Sequence, residues 1–199
     1  MGNLARGRLS RGPAPPAFGA AAVPLRARPP PPPFVPPAPP LRREKNRKRV
    51  EVRVQATGAQ VNLRQATRAD IAPMHAIRMA VRENALSDPR RITEADYLAA
   101  LDESGRTWVV EVDGKLAAFA TGYRSGSIWA LFVHPQHEGH GYGASLLATA
   151  VDWLWALGHQ RIWLTTAPGT RAERFYLAKG WKACGVDACG DIRFELERP

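Results

Sequence analysis

Residues 134 to 147 read HPQHEGHGYGASLL, which places Gly139, Gly141 and Gly143 within five positions. The apolar run SIWALFV precedes this stretch, and an apolar stripe at helical spacing follows it. A strand, a glycine-rich turn and a helix in this order can hold a phosphate group. The amides at a helix start lack intrahelical partners, and the helix dipole adds partial positive charge there. The stretch therefore predicts a phosphate-binding turn.

Two common phosphate-binding motifs do not fit this turn. A P-loop requires G-K-S/T, and the stretch contains no lysine. A Rossmann turn requires G-x-G-x-x-G and an acidic residue after the next strand. Here the run is G-x-G-x-G, and RIWLTTAPG at 161–169 contains no acid.

Periodicity and turn residues predict a mixed α/β domain over residues 61–199. The first helix follows a Thr67–Asp70 capping box, and the second follows Thr93–Asp96. The residues at helical spacing in the first helix are Ile71, Met74, Ile77, Arg78 and Val81. Asp113-Gly114 predicts a tight hairpin, since a type I′ turn needs positive φ twice.

The unbroken apolar run at 127–133 is typical of a central strand that is covered on both faces. Thr170 and Glu173 form a further capping-box pattern, ahead of a helix that ends at Gly180. The predicted order is β-α-α-β-β-β-α-β-α-β-β.

The N-terminal 60 residues differ in composition from the rest. They hold 13 of the 18 prolines and 12 Lys+Arg against 2 Asp+Glu, whereas residues 61–199 carry 16 residues of each sign. Proline runs favour extended polyproline II, and such a segment cannot bury a core. We therefore expect a disordered Pro/Arg-rich tail over 1–60. The neutral domain carries no charge signature for nucleic acid.

The apolar runs and the cysteine content indicate the cellular compartment. In the sequence, no apolar run reaches the ~18 residues that would span a bilayer. Cys184 and Cys189 are too few for a disulfide framework. The expectation is a cytoplasmic protein without a membrane partner, and a homodimer is left open.

The glycine stretch resembles motif A of the GNAT superfamily of N-acetyltransferases, whose signature is Q/R-x-x-G-x-G/A between a strand and a long helix. Glu138, Gly141 and Gly143 occupy its fixed positions. The resemblance continues at ERFYLAKGW, residues 173–181, which is similar to the family's F-Y-x-x-x-G-F/W. It covers the domain and none of the tail. It implies a GNAT-like, mostly antiparallel sheet with helices on both faces.

The resemblance also implies acetyl-CoA as co-substrate, and an amine of a small molecule, peptide or protein as acceptor. The backbone of the central strand would pair with the pantetheine arm, and the amides of the turn would hold the diphosphate. Two residues at the later helix start would lie on the CoA side. The implied cofactor-binding residues are Leu131, Phe132, Val133, Gly139, His140, Gly141, Tyr142, Gly143, Ala144, Thr170 and Arg171.

The implied reaction is direct attack of the amine on the thioester. Tyr176 matches the tyrosine that often protonates the leaving thiolate, and a phenol with a pKa near 10 is a reasonable acid for a thiol near 8.5. The strand at 127–133 contains no carboxylate, so the glutamate base that some members carry there is absent. Glu83 and Glu111 are the candidates for a base that acts through water.

Glu138 departs from the family pattern, which has Arg or Gln at this position. A carboxylate that faces a diphosphate would be repelled, so either Glu138 points away or cofactor binding is weak. The alternative function is therefore a non-catalytic acyl-CoA-binding or regulatory relative. His134, His137 and His140 are spaced by three on a turn, where zinc ligands would not converge, and we predict no metal site.

Overall fold

The computed structural model describes residues 59–81, 92–102 and 104–199. All but the last two residues of the predicted tail, and the predicted base Glu83, lie outside this part of the chain. Within these ranges, no helix is both long enough and apolar enough to cross a membrane.

The element order agrees with the sequence prediction. The elements are β1 (Val61–Gln65), α1 (Ile71–Ala80), α2 (Glu94–Leu101), β2 (Gly105–Val112), β3 (Lys115–Tyr123), β4 (Ser127–Val133), α3 (Tyr142–Ala156), β5 (Arg161–Thr166), α4 (Arg171–Ala178), β6 (Lys182–Val186) and β7 (Ile192–Glu197). Short 3-10 turns at Arg68–Asp70 and Pro135–His137 precede α1 and follow β4.

Local signals explain several of these boundaries. The Thr67–Asp70 and Thr93–Asp96 capping boxes are both present, with reciprocal hydrogen bonds. Asp113 and Gly114 have φ angles of 48° and 77°, as the type I′ turn between β2 and β3 requires.

The sheet has the strand order β1-β2-β3-β4-β5-β7-β6, with β4 at its centre as predicted. All neighbouring strands are antiparallel except β4 and β5. This is the mostly antiparallel GNAT-like sheet. The sequence did not reveal that β7 lies between β5 and β6.

Two irregularities shape β4. Ala130 lies opposite Thr121 and Ile128 lies opposite Gly122, so Trp129 is an extra residue that forms a β-bulge. The parallel pairing with β5 is confined to Ser127 and Trp163. Beyond that point β4 and β5 separate, and the β5-facing edge of residues 131–133 has no strand partner among the described residues.

Each face of the sheet is covered by its own apolar cluster. The α3 and α4 side packs on one face, where Leu131 and Val133 of β4 join the cluster around Leu146 and Phe194. The α1 and α2 side packs on the other face, where Phe132 joins a second cluster. Both faces of β4 therefore pack against apolar side chains.

Candidate functional site

The glycine turn adopts the conformation that its sequence predicts. Gly139 and Gly141 have φ angles of 78° and 82°, and a Cβ built on either would meet no atom within 4 Å. Gly143 lies in the first turn of α3, where a Cβ would stand 3.4 Å from Val133 Cγ2. The backbone is thus open to solvent at the first two glycines and lies close to β4 at the third.

The amides of the turn are available to a ligand. Ser145 is the first residue of this segment whose amide bonds a helical carbonyl, that of Gly141 at 3.1 Å. No side chain in the described part of the chain caps α3, and its first turn contains no acidic residue. Among the described residues, the amides from Gly139 to Ala144 therefore have no acceptor, and they stand at the positive end of a 15-residue helix.

The edge of β4 leads directly to this turn. Leu131, Phe132 and Val133 pair with β3 on one side. On the other side, beyond Ser127, their backbone faces the gap between β4 and β5. An extended ligand can add to such an edge as a strand does, since the backbone donors and acceptors are already aligned.

Glu138 does not face the turn as an unpaired charge. Its carboxylate forms a short ion pair with Nη1 of Arg171, at the start of α4. The side chains are 37% and 60% exposed, so the pair lies at the surface. It joins the glycine turn to α4 across the opening between β4 and β5. Arg171, predicted to contact CoA, thus also holds the residue that departs from the family motif.

Thr170 is engaged in local structure. Its hydroxyl accepts a hydrogen bond from the Glu173 amide at 3.2 Å and donates one to the Ala167 carbonyl at 2.9 Å. The Glu173 carboxylate accepts from the Gly169 amide, not from Thr170 as a full capping box would have it. Thr170 therefore caps α4, and its predicted contact with CoA stays a prediction.

The histidines and Tyr142 form a partly exposed cluster of rings beside the turn. The His140 ring stacks on Tyr142 with centroids 5.6 Å apart, and its Nδ1 donates to the Glu138 carbonyl at 2.9 Å. Burial and the neighbouring His134 and His140 lower the pKa of His137. In the part of the chain that the structure describes, no three His, Cys, Asp or Glu side chains could hold a metal ion.

Tyr176 lies on the α3 and α4 side of the sheet, in the cluster that Leu131 and Val133 join. It is 6% exposed and packs against Phe175, Trp181 and Phe194, with centroids 5.4 to 6.0 Å away. Burial raises the pKa of its hydroxyl above the usual value. The phenol therefore stays protonated at neutral pH, in the form that can donate a proton.

Glu111 belongs to an ion cluster with Arg64 and Asp70, called here the Arg64 cluster. Arg64 donates to Glu111 Oε2 from Nε and Nη2, at 3.1 and 2.9 Å, and to both Asp70 oxygens at 2.8 Å. Glu111 also lines a cavity of about 460 Å³ together with His134, which follows β4. Its role as base stays a prediction.

A second arginine stands out in the structure but not in the sequence motifs. Arg78, in the last turn of α1, is 6% exposed. Its Cζ lies 4.4 Å from the Phe132 ring centroid, 4.9 Å from that of Trp129 and 5.9 Å from that of Tyr97. We call these four residues the Arg78 cage. Its sequence signal was a charged residue within the apolar stripe of a helix.

The cage leaves part of the guanidinium unpaired. Nε and Nη2 of Arg78 are buried side-chain atoms without a hydrogen-bond partner, and they are the only such atoms among the described residues. Burial lowers the pKa of Arg78, whereas the Tyr97 hydroxyl opposes that shift. The Arg78 cage is therefore the polar exception within the apolar cluster on the α1 side.

The chain matches the model of a protein family and shares its fold with solved structures. The model of a family described as "Acetyltransferase (GNAT) family" matches residues 71–181. No curated protein sequence matches the chain.

Solved structures share the fold at low identity. The PaiA N-acetyltransferase from Thermoplasma acidophilum, solved with coenzyme A, has a TM-score of 0.61 at 14% identity, over 70% of this chain and 99% of that one. The putative acetyltransferase yncA from Salmonella typhimurium, solved with acetyl-CoA, gives 0.60 at 19%, over 69% and 94%. The ribosomal-protein-S18-alanine N-acetyltransferase from Escherichia coli gives 0.56 at 18%, over 69% and 94%.

Proposed function

Because the chain belongs to the GNAT family of acetyltransferases, we propose that it transfers the acetyl group of acetyl-CoA to a primary amine of a small molecule, peptide or protein. The observation that carries this proposal is the run of amides from Gly139 to Ala144, which donate to no described residue and lie beside the edge of residues 131–133 that pairs with no described strand. The two structural relatives solved with coenzyme A and acetyl-CoA have the same fold.

The residues of the site fit a bound CoA. Six consecutive amides at the start of α3 suit a diphosphate. The backbone of Leu131, Phe132 and Val133 suits the amide groups of a pantetheine arm. The Glu138–Arg171 ion pair offsets the one carboxylate that would repel the diphosphate. This pairing supports cofactor binding despite the departure from the family motif at Glu138.

The chemistry then needs few protein groups. The neutral amine attacks the thioester carbonyl, the carbon–sulfur bond breaks, and the amine proton passes to a base. Tyr176 donates the proton that the thiolate takes up. Its raised pKa keeps that proton in place over the pH range in which the amine is deprotonated. The base is Glu111 or Glu83 acting through water.

Calorimetric titration of acetyl-CoA tests the binding site. Gly141→Asp should weaken binding at least 100-fold, because it places a carboxylate among the amides that would hold the diphosphate. Gly114→Asp is the matched control, since Gly114 also has a left-handed backbone (φ +77°) with open space around a Cβ but lies in the turn between β2 and β3. Wild-type affinity in a folded Gly141→Asp variant would refute the site.

An amine screen for free thiol release tests the reaction. Release above the rate of hydrolysis, with an acetylated amine as product, is expected for the wild-type chain. Tight acetyl-CoA binding without any release would identify the chain as the non-catalytic relative instead.

A further inference from the structure

The Arg78 cage holds a cation with two nitrogens, Nε and Nη2, that donate to no residue in the described part of the chain. Burying a guanidinium is energetically costly. Stacking on an aromatic ring offsets only part of that cost and satisfies no N–H group. An Nε and an Nη2 without acceptors are therefore expensive to keep inside a protein.

The two unpaired atoms form one edge of the guanidinium. Nε–H and the neighbouring Nη2–H point the same way, and this edge accommodates the two oxygens of a carboxylate. Arg64 of the same chain binds a carboxylate with this edge, because its Nε and Nη2 both donate to Oε2 of Glu111. In Arg78 the rings of Trp129 and Phe132 cover the guanidinium. The cage thus restricts a ligand to the edge.

No described carboxylate occupies this position. Asp96 is the acidic group that acts on the pKa of Arg78, and its Oδ2 is held by the Thr93 amide and hydroxyl, each at 2.8 Å. Asp96 therefore caps α2 while it contributes to the local field.

The cage adjoins the proposed reaction site. Phe132 presents its ring to Arg78, and its backbone belongs to the edge that would hold the pantetheine arm. A group bound at Arg78 would thus lie across β4 from Leu131 and Val133, which face α3. An acceptor molecule must approach the thioester from one side of this strand, and the α1 side carries the unpaired donors.

We propose that Arg78 binds the carboxylate of the acceptor, so that the substrate class is an amine that also carries a carboxylate group, such as an amino acid or a short peptide. This inference rests on the proposed acetyl transfer. It excludes simple polyamines as preferred acceptors, because Arg78 would repel a second ammonium group.

Matched substrates test the proposal on the full-length chain. Thiol release is measured with a panel of amino acids and with their C-terminal amides, which keep the amine and the side chain but lose the carboxylate. We expect kcat/KM to be about 100-fold higher for the acid, since a site built for hydrogen bonds rejects an analogue that leaves them unmade. In Arg78→Met this preference should fall below about threefold, and Arg78→Lys should retain part of it. Arg68→Met, an exposed arginine elsewhere, is the control.

Calorimetry with N-acetyl amino acids and their amides, in the presence of CoA, gives a readout that does not require turnover. The acids should bind the wild-type chain at least tenfold more tightly than the amides, and Arg78→Met should lose this difference. If no amine is acetylated but the acids still bind more tightly than the amides, the proposed catalysis is wrong and the proposed binding of a carboxylate by Arg78 is supported. If the wild-type chain has equal kcat/KM values or equal affinities for the acids and the amides, the proposed binding of a carboxylate by Arg78 is wrong. This result does not depend on whether Arg78→Met folds.

Discussion

Arg64 and Arg78 lie on the same side of the sheet, one partly and one fully buried, and they differ in how their charge is hydrogen-bonded. All three nitrogens of Arg64 donate hydrogen bonds, and its ion pairs with Asp70 and Glu111 connect β1, β2 and the start of α1. Arg78 lies near the other end of α1, with rings around it and two nitrogens that have no partner among the residues that the structure describes. The pKa of Arg64 is raised, chiefly by its hydrogen bond to Asp70, whereas burial lowers that of Arg78. The difference indicates that Arg64 stabilises the fold, whereas Arg78 binds a ligand.

The comparison predicts the largest loss of stability at Arg64. Arg64→Met should lower the free energy of unfolding by about 2 to 3 kcal/mol, because it leaves Asp70 and Glu111 without their cation. Breaking a fully buried pair costs about 3 to 5 kcal/mol, and the Arg64 side chain is still 26% exposed. Urea unfolding at pH 7 measures the effect. Arg68→Met, whose ion pair with Asp102 is 72% and 51% exposed, should change stability by less than about 0.5 kcal/mol. A similar small loss at Arg64 would break the comparison.

Tyr176 extends the comparison to hydroxyl groups. The buried hydroxyls of Thr107 and Thr121 bond each other at 2.8 Å. Tyr176 packs among the rings of Phe175, Trp181 and Phe194 instead, and burial raises the pKa of its hydroxyl. Tyr176→Phe should lower kcat about 100-fold, the lower end for loss of a general acid, with little change in acetyl-CoA affinity. Steady-state thiol release measures it, and the wild-type kcat should show no decline from Tyr176 ionisation up to about pH 10, the reference pKa of tyrosine. A loss below about threefold would assign Tyr176 to packing.

The smallest effect is expected at Arg78 itself. Arg78→Met should leave the free energy of unfolding unchanged or raise it by up to about 1 kcal/mol, since it removes an uncompensated buried charge and keeps an apolar stem. The same urea experiment measures it. A loss above about 2 kcal/mol would show that the fold already satisfies Arg78.

Acid titration sharpens the same contrast. Burial would raise the pKa of Asp70, but hydrogen bonds from Arg64 and Thr67 outweigh burial and lower it. The unfolded chain therefore binds protons more readily than the folded one below about pH 4, and the contribution of Asp70 to stability is lost as the pH falls through its folded pKa. The stability difference between wild type and Arg64→Met should shrink below pH 4, whereas that for Arg78→Met should not.

The sequence predicted the features that depend on neighbouring residues. Thr67, Thr93 and the Asp113-Gly114 pair set element ends through bonds a few residues long, so the order of helices and strands could be predicted. The glycine turn was predictable for the same reason. Its backbone conformation is dictated by residues within the turn.

Features that depend on distant residues could not be predicted. The partner of Glu138 is Arg171, 33 positions away, and no spacing rule connects them. Arg78 occupies an expected position in the apolar stripe of α1, but its surroundings come from α2 and β4. The insertion of β7 between β5 and β6 is likewise a choice among pairings that the strand sequences leave open.

The bulge at Trp129 determines which face of the sheet each later side chain of β4 occupies. Side chains along a strand alternate between the faces of the sheet, and one extra residue reverses that alternation for everything downstream. Counting from Ile128 without the bulge would exchange the faces of Phe132 and its neighbours Leu131 and Val133. The cage would then lose its covering ring, and the α3 side would receive a phenyl group in place of two aliphatic ones. The single extra residue Trp129 therefore determines that Phe132 faces the Arg78 cage while Leu131 and Val133 face α3.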